Sequence, residues 1–226
     1  MSLKLIYFKM RALAEAPQLL MRFNKIEYDY LMSWEHFGDA WDKIKPTITF
    51  KQLPVLDVEG GHQIAQSTAI LKYLENRAGL TIQDPIKSAK ACAILLSSQD
   101  LFAPLNPTVN FAVGEDFIKK RDNMRPVLAS RFADLSRCLD DYGGKFFIDD
   151  IPRAAEFAAY HHLDLSKLLD PSIIAEFPRL EEFISDMENI SGVSEYLSER
   201  PELIEVGKEP KLVVNGTLHP TGLHQT

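Results

Sequence analysis

Cysteine is scarce in this sequence of 226 residues: Cys92 and Cys138 are the whole supply, far apart and in no C-x-x-C pattern. That excludes a disulfide framework and a zinc ribbon. The first 91 residues contain no cysteine at all. Positive charge is also short, with 25 Lys and Arg against 32 Asp and Glu for a net charge of −7. The chain therefore lacks the cation excess that displaces counterions from a nucleic-acid backbone. No apolar run reaches the roughly 18 residues of a membrane span, and the opening Met1-Ser2-Leu3-Lys4-Leu5-Ile6-Tyr7-Phe8 is too short for a signal peptide. A soluble, cytoplasmic protein without nucleic-acid or membrane partners is expected. The histidines (His36, His62, His161, His162, His219, His224) show no H-E-x-x-H spacing, and the adjacent His161 and His162 point in different directions on a helix, so no metal is expected.

What is present is ordinary globular material, 46% apolar and 25% charged, enough for one large or two small domains with a sizeable core. The first 80 residues alternate strand and helix signals. Residues 4–8 read as a buried strand, 11–23 as a helix with Leu13, Ala16, Leu19, Leu20 and Phe23 at helical spacing, and 26–30 as a second strand. A weaker helical segment over 34–44 ends near Pro46. Residues 53–58 and 62–65 flank Glu59-Gly60-Gly61 as a hairpin, and 67–77 read as a helix closed by Gly79. The order βαβαββα gives a small mixed sheet with helices on its faces, a thioredoxin-like arrangement. Dithiol exchange is excluded, because no cysteine stands at the head of the first helix.

From Asp84 onward strand signals stop. Helical patterns run over 86–111, 115–141, 154–169 and 179–190, with Pro104 and Pro107 expected to interrupt the first and Pro126 a candidate break in the second. The expected division is 1–80, a linker near 78–83, an all-helical domain over 84–204, and a tail over 205–226 punctuated by Gly207, Pro210, Gly216, Pro220 and Gly222.

Three short segments carry chemistry. Tyr7 ends the first strand, where α/β sheets bind ligands, although a partly buried strand aromatic is an equal reading. Gln52-Leu53-Pro54 opens a strand on a proline. Were that bond cis, Leu53 would turn its backbone toward an extended peptide; a trans, structural proline is the commoner case. Gln66-Ser67-Thr68 precedes an apolar helix, where Ser67 is either a simple cap or part of a carboxylate site. Taken together they fit one ligand: an extended peptide along Leu53, its carboxylate at Ser67 and its reactive atom near Tyr7.

Across residues 3 to 201 the sequence resembles the cytosolic glutathione S-transferases of the tyrosine type, the sigma class most. Tyr7-Phe8-x-Met10-Arg11-x-x-Ala14-Glu15, Trp41-x-x-Ile44-Lys45-Pro46-Thr47, Gln52-Leu53-Pro54-Val55-Leu56 and Gln66-Ser67-x-Ala69-Ile70-x-x-Tyr73-Leu74 follow the family's first domain in order. Pro152-x-Ala154-Ala155-Glu156-Phe157, Phe177-Pro178-Arg179-Leu180 and Val193-x-x-Tyr196-Leu197-x-x-Arg200-Pro201 follow its second. The resemblance implies glutathione as substrate, no metal, and a homodimer. It implies a cis Pro54 with Leu53 bonding the cysteinyl unit, Gln66 and Ser67 on the γ-glutamyl end, and Trp41, Lys45 and Gln52 on the glycyl end. Phe8 and Arg11 join that site, with Asp100 reaching the partner's γ-glutamyl amine. Tyr7 would be catalytic, donating its hydroxyl to the glutathione sulfur. The electrophile pocket would lie between Met10, Leu13, Phe102, Leu105 and Asn106.

The departures from the family pattern are specific. Leu13 replaces an arginine that supports the activated tyrosine in sigma enzymes. Arg153 replaces a Ser or Thr helix cap contributing about 1 kcal/mol. The implied activity is conjugation of the glutathione thiolate to small apolar electrophiles, as in detoxification. The alternatives are a glutathione-binding or structural member with little catalysis, and a glutathione-dependent isomerase or peroxidase.

Overall fold

The computed structural model describes residues 3–112 and 114–200, with backbone alone at 106, 107, 109–111 and 168, and the backbone of 211–214 and 217–220 beyond them. β1 (Leu3–Tyr7) is central to a four-stranded sheet ordered β2-β1-β3-β4, with β2 (Tyr28–Met32) parallel to it and β3 (Val55–Val58) antiparallel. β4 (His62–Ala65) returns from β3 through a turn in which Gly60 and Gly61 both take left-handed φ. Leu5 pairs with Tyr30 on one side and Leu56 on the other, and Leu5, Ile6, Val55 and Leu56 are fully buried. These residues are apolar on both sheet faces because helices cover both.

α1 (Ala12–Phe23) and α4 (Ser67–Arg77) pack together, burying Leu19 and Leu20 against Ile70, Leu71 and Leu74. Two short helices, α2 (Ser33–Phe37) and α3 (Trp41–Ile44), stand where one weak helical segment was expected; Gly38 at φ 71° ends the first. The second strand begins two residues later than its alternation suggests. Ile26 donates its N–H to the Met21 carbonyl at 2.9 Å, so it closes α1 rather than opening β2.

The helical part comprises α5 (Pro85–Gln99), α6 (Phe102–Phe111), α7 (Gly114–Tyr142), α8 (Ala154–Leu169), α9 (Pro171–Ile174), α10 (Pro178–Glu188) and α11 (Val193–Glu199). α8 is its axis, buried along nearly its whole length and packed on α5, α6, α10 and also on α1 and α4. The break expected at Pro104 and Pro107 falls instead at Asp100 and Leu101. Pro104 sits in the first turn of α6, where a missing N–H costs nothing. Pro126 does not break α7 either. It lies on the exposed face while Met124, Leu128, Phe132, Leu135 and Leu139 hold the buried stripe. In the tail, β5 (Lys211–Val214) and β6 (Thr217–Pro220) form an antiparallel hairpin where unpatterned chain was expected. The remainder of 205–226 lies outside the described residues.

Candidate active site

Tyr7 is the last residue of β1, and the chain turns at once into α1. That turn is tied by three hydrogen bonds: Met10 N–H to the Phe8 carbonyl at 2.8 Å, and the Tyr30 hydroxyl to the carbonyls of Phe8 at 2.6 Å and Met10 at 3.3 Å. The first N–H groups of a helix have no intrahelical acceptor. One of them, Leu13 N–H, is directed at the Tyr7 phenol oxygen. Burial pushes the Tyr7 hydroxyl well above the usual tyrosine range, and the Leu13 bond offsets only part of that. At neutral pH the group is therefore a protonated phenol, able to donate.

An aromatic wall runs from this point. The Phe8 ring lies 5.5 Å from Tyr7 and 5.5 Å, edge-on, from Trp41 at the head of α3. Lys45, just past α3, is exposed. On the other side of Tyr7 the Leu53–Pro54 bond is cis, immediately before β3. Gln66 joins β4 to α4 with φ 75° and ψ 119°, a conformation costing a non-glycine residue about 1–3 kcal/mol and concentrated at functional sites. Its side-chain amide donates to Gln52 Oε1 at 3.2 Å. Ser67 is buried as the first residue of α4; the cap position belongs to Gln66, and no side chain caps the helix. Tyr7, Phe8 and Trp41 thus form one group, and Gln52 with Gln66 another.

Other expected residues sit differently. Arg11 pairs with Asp164 of α8 at 3.4 Å, facing the helical part. Asp100 follows α5 and lies 3.7 Å from Arg131 in an exposed pair. Of the expected pocket residues, Leu13 and Phe102 are half-buried, while Met10 and Leu105 are buried in the core. The Asn106 side chain is outside the described residues.

Sequence reasoning missed Glu15. It is 1% exposed and bonds Tyr196 and Arg200 at the far end of the chain, although its place on the apolar stripe with Ala12 and Leu19 was a readable signal. His161 and His162 are buried in α8 with rings 5.0 Å apart, and among the described residues the Ala12 carbonyl, poorly aligned with His161, is the nearest either ring comes to a hydrogen-bond partner. Burial, the neighbouring His162 and the Arg11 and Arg200 guanidiniums push His161 well below the usual histidine range, although the Ala12 carbonyl faces it. Burial alone takes His162 down to about 4. Two neutral imidazoles result, and among the described residues no group of three or more metal-ligating side chains gathers around them. Arg153 accepts nothing as a cap. Its backbone N–H instead donates to Glu156 Oε2 at 2.8 Å, and its guanidinium grips Asp149 at 2.7 and 2.9 Å.

A buried phenol beside a helix N-terminus, a cis-proline turn and a strained strand-to-helix junction converge at one end of the sheet. The family described as "Glutathione S-transferase, N-terminal domain" matches residues 3–76, and "Glutathione S-transferase, C-terminal domain" matches residues 103–200. Hematopoietic prostaglandin D synthase of Gallus gallus is 31% identical over 204 residues, covering 88% of this chain and 96% of that protein. Glutathione S-transferase Mu 4 of Homo sapiens is 29% identical over 214 residues, covering 87% and 91%. The Pi-class glutathione S-transferase structure of Onchocerca volvulus superposes with a TM-score of 0.78 at 27% identity, covering 88% of this chain and 94% of that one. The chain belongs to the glutathione S-transferase family.

Proposed function

We propose that this chain conjugates glutathione to small apolar electrophiles, with Tyr7 holding the glutathione sulfur as thiolate. The observation that carries the reading is the buried, protonated Tyr7 hydroxyl at the head of α1. A free thiol titrates near 8.5, so only a few per cent is thiolate at neutral pH. A hydrogen bond donated to the charged sulfur favours that form, about 1.4 kcal/mol for each pKa unit. No cysteine stands in the first 91 residues, so the sulfur must come from the substrate.

In this reading Leu53 pairs with the cysteinyl backbone, and Gln66 and Ser67 hold the γ-glutamyl end. Trp41, Gln52 and the Lys45 cation take the glycyl end, and Phe8 packs beside them. Arg11, paired with Asp164 at 3.4 Å, joins the same site from the head of α1. Leu13 and Phe102 offer the electrophile an apolar surface, with Met10 and Leu105 behind it. Residues 1–80 would serve glutathione and 84–204 the electrophile. Phe50, Leu96 and Val127, all half or more exposed, are apolar surface that a second copy would cover, bringing Asp100 toward the partner's site. A cytoplasmic homodimer is the state we infer.

Leu13, in place of an arginine, favours a second reading as a glutathione-binding protein with little turnover. Isomerisation, suggested by the names of the prostaglandin D synthase relatives, needs the same thiolate. Turnover of chlorodinitrobenzene by the purified chain decides among these. Conjugation supports the transferase, retention on glutathione resin without turnover supports the binding protein, and no retention overturns the site.

A further inference from the structure

A second cleft, of about 640 Å³, opens between α1, the 25–27 turn, β2 and α11. Its volume is in the range that takes a small organic ligand. None of the residues assigned above to glutathione or the electrophile lines it. Its walls are three tyrosine rings, Tyr28, Tyr30 and Tyr196, which offer flat apolar faces. Two cations, Arg22 and Lys25, stand at its exposed edge against one acid, Glu27.

The second observation is Gln18. Its side chain is 3% exposed and its Oε1 accepts the Tyr28 hydroxyl at 3.2 Å. Among the described residues its buried Nε2 has no acceptor, although Gln18 lines the cleft. An unsatisfied buried donor costs about 1–3 kcal/mol, which an acceptor bound in the cleft would offset. Gln18 and Arg22 are four residues apart on α1 and share a face. Arg22 lies 5.6 Å over the Tyr196 ring, donates to the Tyr28 hydroxyl, and keeps a loose, exposed 3.9 Å contact with Glu199, the one of these that a ligand can displace at little cost.

We propose that this cleft is a second binding site, for an aromatic monocarboxylate. The ring lies among Tyr28, Tyr30 and Tyr196, and the carboxylate receives Gln18 Nε2 and the Arg22 guanidinium, with Lys25 beside it. The site is independent of the chemistry at Tyr7. Tyr30 links it to that region, its hydroxyl holding the Phe8 and Met10 carbonyls.

Calorimetric titration of the full chain with naphthoate tests this, with saturating S-hexylglutathione present so that the Tyr7 crevice is filled. One naphthoate per chain is expected. The neutral naphthylmethanol should bind about tenfold weaker or worse, and Arg22→Leu should raise the naphthoate Kd by about tenfold or more. Arg22 is on the surface, so the variant should fold, and its chlorodinitrobenzene turnover should match wild type. No binding, equal binding of the alcohol, or a Kd unchanged in Arg22→Leu overturns the proposal.

Discussion

Tyr196 in α11 donates its hydroxyl to Glu15 Oε2 in α1 at 2.9 Å, across 181 positions of sequence. The other carboxylate oxygen accepts from Arg200 at 2.9 Å, and Arg200 and Arg11 both approach Asp164, at 3.7 and 3.4 Å. Burial pushes the Glu15 carboxyl up; the Arg200 and Arg11 charges and the Tyr196 bond pull it back. This network fastens the end of the helical part to the helix whose first turn faces Tyr7. Removing the hydroxyl in Tyr196→Phe should cost about 1–3 kcal/mol. Glu15→Ala takes the shared acceptor from Tyr196 and Arg200, leaves Arg200 the longer 3.7 Å contact with Asp164, and should cost about 3–5 kcal/mol. Equilibrium urea unfolding measures both, and a Glu15→Ala variant as stable as wild type would sink the account.

Tyr7→Phe keeps the ring and removes the donor. Loss of one hydrogen-bond donor to a developing or resting anion typically costs on the order of 100-fold in rate. Conjugation by Tyr7→Phe should fall by about that much while glutathione retention on resin persists. The pH midpoint of kcat/KM should move up toward the free-thiol value of about 8.5. Equal rates in the two proteins would remove Tyr7 from catalysis.

Phe50 is 66% exposed at a residue with φ 60°, held out from the surface between α3 and β3. Burying such a ring is worth about 1.5–3 kcal/mol. If a second copy covers it, Phe50→Ala should raise the dimer dissociation constant by about tenfold or more. Sedimentation velocity across a concentration series reads this directly. An unchanged association constant would place the contact elsewhere.

The first half of the fold was legible because its signals are local. Apolar runs at β1 and β3, the Glu-Gly-Gly turn and the helical spacing of α1 and α4 each fit within about ten residues. The errors came where neighbouring elements competed for the same residues. Ile26 alternates like a strand residue yet satisfies the Met21 carbonyl. Pro104 reads as a break only if the helix is already running when it arrives. At the site, the order of motifs along the chain points to Tyr7, Gln52, Leu53 and Gln66, but the pairing of Glu15 with Tyr196 and Arg200 is invisible there. Each of those residues has an ordinary reading alone, and only the packing of α1 on α11 joins them.

Glu156 and His162, both buried in α8, should pull stability in opposite directions over nearly the same pH window. Burial raises the Glu156 carboxyl to about 7, against the pull of the Arg153 and Phe147 N–H groups. Its proton is held more tightly in the folded state, so its contribution is full below about 4.5 and is lost as pH rises to about 7. His162 is depressed to about 4, so its contribution is full above about 6.5 and is lost as pH falls. Each slope is up to about 1.4 kcal/mol per pH unit. Relative to wild type, Glu156→Gln should therefore make stability rise more steeply between pH 5 and 6, and His162→Phe should make it rise less. Urea titrations at those pH values check both signs, and parallel curves for all three proteins would refute the assignment.

Arg153→Ser separates two ways of starting α8. The sequence comparison suggests that serine would restore a cap worth about 1 kcal/mol. The structure shows what would be lost: a guanidinium 8% exposed as part of Arg153, bonded twice to Asp149, to the Ile151 carbonyl at 2.9 Å and to the Leu80 carbonyl at 3.0 Å. The last of these ties α8 to the connection between the two parts of the chain, where Ala154 N–H also reaches Glu75 at 3.3 Å. Hydrogen bonds to a charged group are worth about 1.5–3 kcal/mol each when buried, and the Asp149 pair is half-exposed and worth less. The balance therefore falls against serine. Arg153→Ser should lose about 1–2 kcal/mol despite its better cap. Arg153→Ala, with neither, should lose about 1 kcal/mol more. Urea unfolding of the two variants gives that difference, and a serine variant more stable than wild type would show that the cap outweighs the clamp.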